Sequence, residues 1–125
     1  MDSNIIQVTP FMHVRDLEET LRFVGALGFE CRYRLGDEYA YVDREGAGLR
    51  ILAYPQAHVF ESGRDRFAYY LDVRDVGAIH EELKPFLDTL PERDVHGPAD
   101  KDYGQRELLV RSPDGQLFVF GQAIA

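Results

Sequence analysis

The 125-residue chain has no tryptophan and a single cysteine, and it is short of positive charge, with 14 Lys and Arg against 22 Asp and Glu. Each scarcity excludes something. One cysteine, Cys31, rules out an internal disulfide framework, so a reducing compartment, the cytoplasm, is the expectation. A net charge of −8 argues against nucleic-acid binding, which depends on Lys and Arg neutralising phosphates. No apolar run approaches the roughly 18 residues of a membrane span, and the first residues lack a signal peptide's basic and apolar regions. The expectation is therefore no nucleic acid and no membrane. An acidic surface suits a cationic ligand, although solubility alone explains it as well. What is present, 45% hydrophobic residues without low-complexity stretches, is an ordinary globular composition.

The last third of the chain is the most legible. Ser112-Pro113-Asp114-Gly115 has the chemistry of a type I turn: Ser opens it, Pro presets φ at the second position, and Gly suits the fourth. Before it Arg106, Leu108 and Val110 alternate with Glu107, Leu109 and Arg111. After it Leu117 and Val119 share one face, Phe118 and Phe120 the other. A strand apolar on both faces is covered on both, by a helix on one side and a pocket or partner on the other.

From the start, Ile5 to Val14 reads as a strand with Ile6, Val8, Met12 and Val14 on one face and Gln7, Thr9, Phe11 and His13 on the other. Asp16 is an N-cap with Glu19 three residues on, Leu17, Leu21 and Val24 give a helical stripe, and Gly28 stops it. Strands follow at 29–35, 39–43 and 49–54. After a polar stretch the pattern restarts: strand 67–73, N-cap Asp75, and a helix stripe of Val76, Ile79 and Leu83 ending near Pro85. A short strand at 93–97, a loop at 99–102 and the hairpin complete it. Val14-Arg15-Asp16-Leu17 repeats as Val73-Arg74-Asp75-Val76, a shift of 59 (73 − 14), each at a strand-to-helix handover. The expected fold is α+β: two βαβββ modules forming curved mixed sheets around a cleft, helices outside. It is one domain over 1–125, with module one about 5–54, a linker 55–65 and module two about 66–123.

This order, with Leu27-Gly28-Phe29 and Tyr103-Gly104-Gln105-Arg106-Glu107-Leu108 leading to the Ser112 turn, resembles the vicinal-oxygen-chelate superfamily, the glyoxalase, bleomycin-resistance and dioxygenase fold. Spacing and length are most similar to bleomycin resistance proteins. The resemblance implies a homodimer that sequesters a cationic, aromatic drug such as bleomycin in a dimer-interface cleft and does no chemistry on it. Tyr103 stands where the best-known members carry Trp. Metal enzymes of this fold hold a divalent ion with His, Gln or Glu from the first and last strands of each half. The corresponding positions here are Thr9, Ala68 and Val119, poor ligands for such an ion. The resemblance thus implies no metal and no cofactor, and makes an enzyme the weaker reading. The alternative is a metal-dependent lyase, thiol transferase or dioxygenase with unusual ligands.

Other residues have chemistry to offer. His13 and Asp72 correspond under the shift of 59 and form either a metal or acid/base pair or, as the preferred reading, polar strand ends. His58, His80 and His96 fall in no metal-binding spacing, and Cys31 reads as a small apolar filler. The aromatics make the better case. Phe11, Tyr39, Tyr41, Phe60, Tyr70 and Tyr103 are the expected ligand-binding residues, a stacking slot for planar groups. Any one strand ring also serves a core. Tyr103 escapes that reading best, because it follows a polar loop with little core to join.

Overall fold

The computed structural model describes residues 4–61 and 67–124, so residues 62–65 of the expected linker lie outside the described residues. The chain divides into two units that part between His58 and Val59, each with one helix and one four-stranded mixed sheet. This is the α+β, twice-βαβββ arrangement that the repeat implies.

In the first unit, β1 (Phe11–Val14), β2 (Glu30–Leu35), β3 (Tyr39–Arg44) and β4 (Ala47–Ala53) form a sheet ordered β1-β4-β3-β2. Only the β1–β4 pairing is parallel. Helix α1 (Leu17–Ala26) starts at Asp16, whose Oδ1 accepts the Glu19 N–H at 3.0 Å. That satisfies one of the helix's orphan donors. Leu17, Thr20, Phe23 and Val24 are its buried stripe, and the sheet's covered face offers Met12, Val14, Ala40, Val42 and Ile51. Gly28 ends the helix at φ +96°, and Arg44 donates to the Leu27 carbonyl at 2.9 Å.

The expected first strand is shortened. Residues 5–10 lie outside any strand, and Ile5, Ile6 and Val8 are exposed rather than sharing a covered face with Met12 and Val14. The register explains this. Phe11 pairs with Arg50 in a parallel ladder and the Pro10 carbonyl accepts from Arg50, so a few residues earlier the partner strand has reached its own turn. Pro10 also has no N–H to extend the ladder.

In the second unit, β5 (Ala68–Asp72), β6 (Val95–Asp100), β7 (Gln105–Arg111) and β8 (Leu117–Ala123) are ordered β5-β8-β7-β6, again with one parallel pair, β5–β8. Helix α2 (Val76–Leu87) is capped by Asp75, which accepts the Ala78 N–H at 3.0 Å, the same device at the repeated position. Its Val76, Leu83 and Leu87 are buried, and the sheet's covered face offers Tyr69, Leu108, Val110, Phe118 and Phe120. The hairpin turn closes as read: Gly115 donates to the Ser112 carbonyl at 2.9 Å and has φ +84°.

Two boundaries differ from expectation. Helix α2 continues past Pro85 to Leu87, because a proline in the last turn forfeits only its own N–H while Asp88 still donates to Lys84 O at 2.9 Å. Strand β6 runs to Asp100 across Gly97-Pro98 instead of ending at Gly97. A bulge between His96 and Ala99 absorbs the interruption, with Gly97 at φ +94°, and pairing resumes at Ala99–Glu107 and Asp100–Arg106.

Candidate functional site

Strand alternation gives each sheet a second face that its own helix does not cover, and this face carries the unusual side chains. In the first unit it holds Phe11 and His13 of β1, Tyr39, Tyr41 and Asp43 of β3, and Arg50 of β4. Arg50 donates to the Tyr39 hydroxyl, and its guanidinium lies 5.3 Å from the centre of the Tyr41 ring. Tyr33 of β2 lies 6.1 Å from Tyr39, ring to ring. His13 Nδ1 is 3.1 Å from the Tyr54 hydroxyl, and the Phe11 ring is 5.9 Å away. A hydrogen-bonded histidine at a strand end is the preferred sequence reading.

In the second unit the corresponding face carries Ala68, Tyr70 and Asp72 of β5, Val119 and Gly121 of β8, and Gln105, Glu107 and Leu109 of β7. Here a polar cluster forms. The Tyr70 hydroxyl gives its one proton to Glu107 Oε2 at 2.9 Å, with Gln105 Oε1 3.0 Å from the same hydroxyl, while the Tyr103 hydroxyl donates to Glu107 Oε1 at 2.8 Å. Glu107 is only 5% exposed, whereas Tyr70 is 44% and Tyr103 67% exposed. Gly121 faces Glu107 in register, and a side chain there would collide with the Tyr70 hydroxyl. The absent Cβ makes the cluster possible. Burial first, and then the Glu107 hydrogen bond, push the Tyr70 phenol up to about 12. The Glu107 hydrogen bond is the main cause that raises Tyr103. Both rings therefore stay neutral donors across the ordinary pH range.

The two units place an acid opposite a glycine on the same kind of face, Asp43 with Gly48 and Glu107 with Gly121. Their partners differ. Asp43 is paired with Arg32 at 2.6 Å, while no ion pair involves Glu107 among the described residues.

Five of the six expected ligand-binding residues, Phe11, Tyr39, Tyr41, Tyr70 and Tyr103, thus belong to open sheet faces or the loop beside one. Phe60 is placed differently: its ring is 5.7 Å from Phe67, the start of a run through Tyr69 to Phe118 in the core. Cys31 is exposed at the β2 bulge, its Sγ 3.4 Å from Tyr33 O, and so fills no core. Of the metal-type positions, Thr9 precedes β1 and accepts from Gln7 at 3.0 Å, and Ala68 and Val119 lie on the open face of the second sheet. Among the described residues no three His, Cys, Asp or Glu side chains gather as a metal site would require. A concavity of about 520 Å³ at the end of β4, lined by Arg15, Glu38, Leu52 and Tyr54 among others, contains none of the six expected ring residues.

Glu107, Gln105 and Arg50 were missed by the sequence reading. A signal for Glu107 existed. Once the Ser112 turn fixes the hairpin register, Leu109 faces Val119 and Glu107 faces Gly121, leaving a carboxylate on an otherwise apolar face beside a missing side chain.

Solved structures match this architecture over nearly the whole chain. A bleomycin-binding protein in complex with bleomycin has a TM-score of 0.77 at 23% identity, covering 94% of this chain and 98% of that one. The fold is that of the vicinal-oxygen-chelate superfamily. Within the superfamily, the bleomycin-binding protein of the bleomycin producer Streptomyces verticillus, complexed with copper(II)-bleomycin, gives 0.73 at 22% identity, covering 99% of both chains. A lactoylglutathione lyase from Agrobacterium tumefaciens gives 0.67 at 13% identity, covering 96% of both. No family model and no curated protein sequence matches the chain. Vicinal-oxygen-chelate architecture is thus carried here by structure, at identities where sequence comparison finds nothing.

Proposed function

We propose that this protein sequesters a cationic, aromatic drug of the bleomycin type in a dimer-interface cleft and leaves it chemically unchanged. The observation that carries the reading is the pairing of exposed rings with a buried carboxylate on a face not covered by helix: Tyr70 and Tyr103 around Glu107. Phe11, Tyr39 and Tyr41, on the first unit's own sheet face, are rings of the same kind. Two solved neighbours are bleomycin-binding proteins with bleomycin bound, which supports this ligand class. The homodimer is part of the proposal. Ile6, 96% exposed, stands with Ile5 and Val8 in an apolar strip that a second copy would cover.

The test is a calorimetric titration of chelator-washed protein with copper-loaded bleomycin, run beside titrations with Zn²⁺, Ni²⁺ and Mn²⁺. The expected result is tight drug binding near one per chain, without a tight metal site. Stoichiometric metal binding without drug binding would overturn the reading in favour of a metal-dependent enzyme.

A further inference from the structure

We propose that Glu107, held by Tyr70 and Tyr103 beside Gln105, is the seat for a cationic nitrogen of the ligand, an ammonium or amidinium. The proposal deepens the sequestering reading and rests on it for the identity of the larger ligand. A carboxylate nineteen-twentieths buried has lost most of its hydration, and such groups ordinarily recover it from a cation. Here both oxygens accept from neutral phenols, and among the described residues no Lys or Arg makes an ion pair with either. Two phenol donors orient the carboxylate without cancelling its charge. Each oxygen retains a further lone pair.

The companion unit shows what a satisfied version of this arrangement looks like. Asp43 also faces a glycine across its ladder, yet it takes Arg32 at 2.6 Å. The second unit has arginines to spare in its own sheet, but they are engaged elsewhere: Arg106 holds Asp100 at 2.6 Å, and Arg111 donates to Gly115 O at 2.9 Å. Among the described residues, none supplies the counter-charge at Glu107.

The setting also suits an aryl or conjugated cation. The tyrosine rings that hold the carboxylate are themselves about half exposed or more, so a ligand nitrogen reaching Glu107 brings its neighbouring atoms against two π-faces. Gly121 lets the Tyr70 hydroxyl settle against the strand beside Glu107, because any side chain there would take its space. Gln105, whose Oε1 lies 3.0 Å from the Tyr70 hydroxyl, keeps its amide N–H groups for an uncharged ligand oxygen.

The test separates this seat from the larger reading by using two kinds of probe. Wild-type protein and Glu107→Gln are titrated with copper-bleomycin by calorimetry. Both are also titrated with benzamidine and its neutral isostere benzamide, followed by amide shifts in NMR spectra. Glu107→Gln keeps the shape and the acceptor for a phenol but removes the charge. Expected are a tenfold or greater loss of copper-bleomycin affinity in the variant, and a wild-type preference for benzamidine over benzamide that Glu107→Gln abolishes. Equal copper-bleomycin affinity in the two proteins would overturn the seat and leave sequestration standing. If wild type binds no copper-bleomycin, sequestration fails, and the benzamidine preference still decides the seat. Should Glu107→Gln not fold, wild type alone decides: benzamidine-specific shifts at Tyr70, Gln105 and Glu107 support the seat, and shifts elsewhere or equal for benzamide overturn it.

Discussion

Tyr103 is two-thirds exposed and contributes one hydrogen bond, so its ring is free to serve a ligand at little expense to folding. Tyr103→Ala is expected to weaken copper-bleomycin binding by about 1–3 kcal/mol. Its melting temperature should stay within a degree or two of wild type, as calorimetry and thermal scans on one preparation would check. Unchanged affinity would remove the ring from the site. Tyr70 makes a second, pH-dependent prediction. Its phenol titrates in the folded protein at about 12 against an ordinary 10, chiefly because burial disfavours the phenolate. The unfolded chain therefore loses this proton first as pH rises. The stabilisation from Tyr70 is present below about pH 10 and is lost progressively towards pH 12. Tyr69, buried and donating to Gln116 at 2.6 Å, is raised by burial in the same direction. Melting curves at pH 9 and 11 should show the fall, and Tyr70→Phe should make it shallower. The exposure of Tyr103 was legible in the sequence, because a ring beside a polar loop has little core to join. Glu107 was not, because its meaning comes from Tyr70, 37 residues away, and from a glycine on the neighbouring strand.

Asp16 and Asp75 cap their helices through identical bonds at 3.0 Å, so Asp16→Ala and Asp75→Ala should each cost about 1 kcal/mol in chemical denaturation. Leu108, fully buried beneath α2, should cost about 2–5 kcal/mol as Leu108→Ala. A cap variant as damaging as the core variant would mean that the helix ends matter beyond one hydrogen bond. Caps, turn chemistry and helical stripes were legible because each is decided by residues within one turn of one another. The three misread boundaries have the opposite character. Where β1 begins is set by the length of its parallel partner, and where β6 continues is set by a bulge against β7. The end of α2 lies beyond Pro85 because a proline in a last turn forfeits only one bond. Strand alternation was still correct wherever a strand formed, and that is what assigned Phe11, Tyr39, Tyr41 and Tyr70 to one kind of face.

For the molecule as a whole, the exposed strip of Ile5, Ile6 and Val8 leads to a measurable expectation, against the mutual repulsion of chains that each carry −8: a dimer by sedimentation equilibrium that Ile6→Asp shifts towards monomer. A wild-type monomer at micromolar concentration would remove the dimer from the proposal. The internal repeat was visible as a tetrapeptide echo, but the divergence of its two copies was not, since it turns on which acid has an arginine. That divergence bears on how such a protein is engineered. An arginine introduced within reach of Glu107 would give the second module the ion pair that Asp43 already has in the first. Under the proposed function, a screen for thermal tolerance would select that change and a screen for drug survival would discard it, so the two criteria would pull the same position in opposite directions.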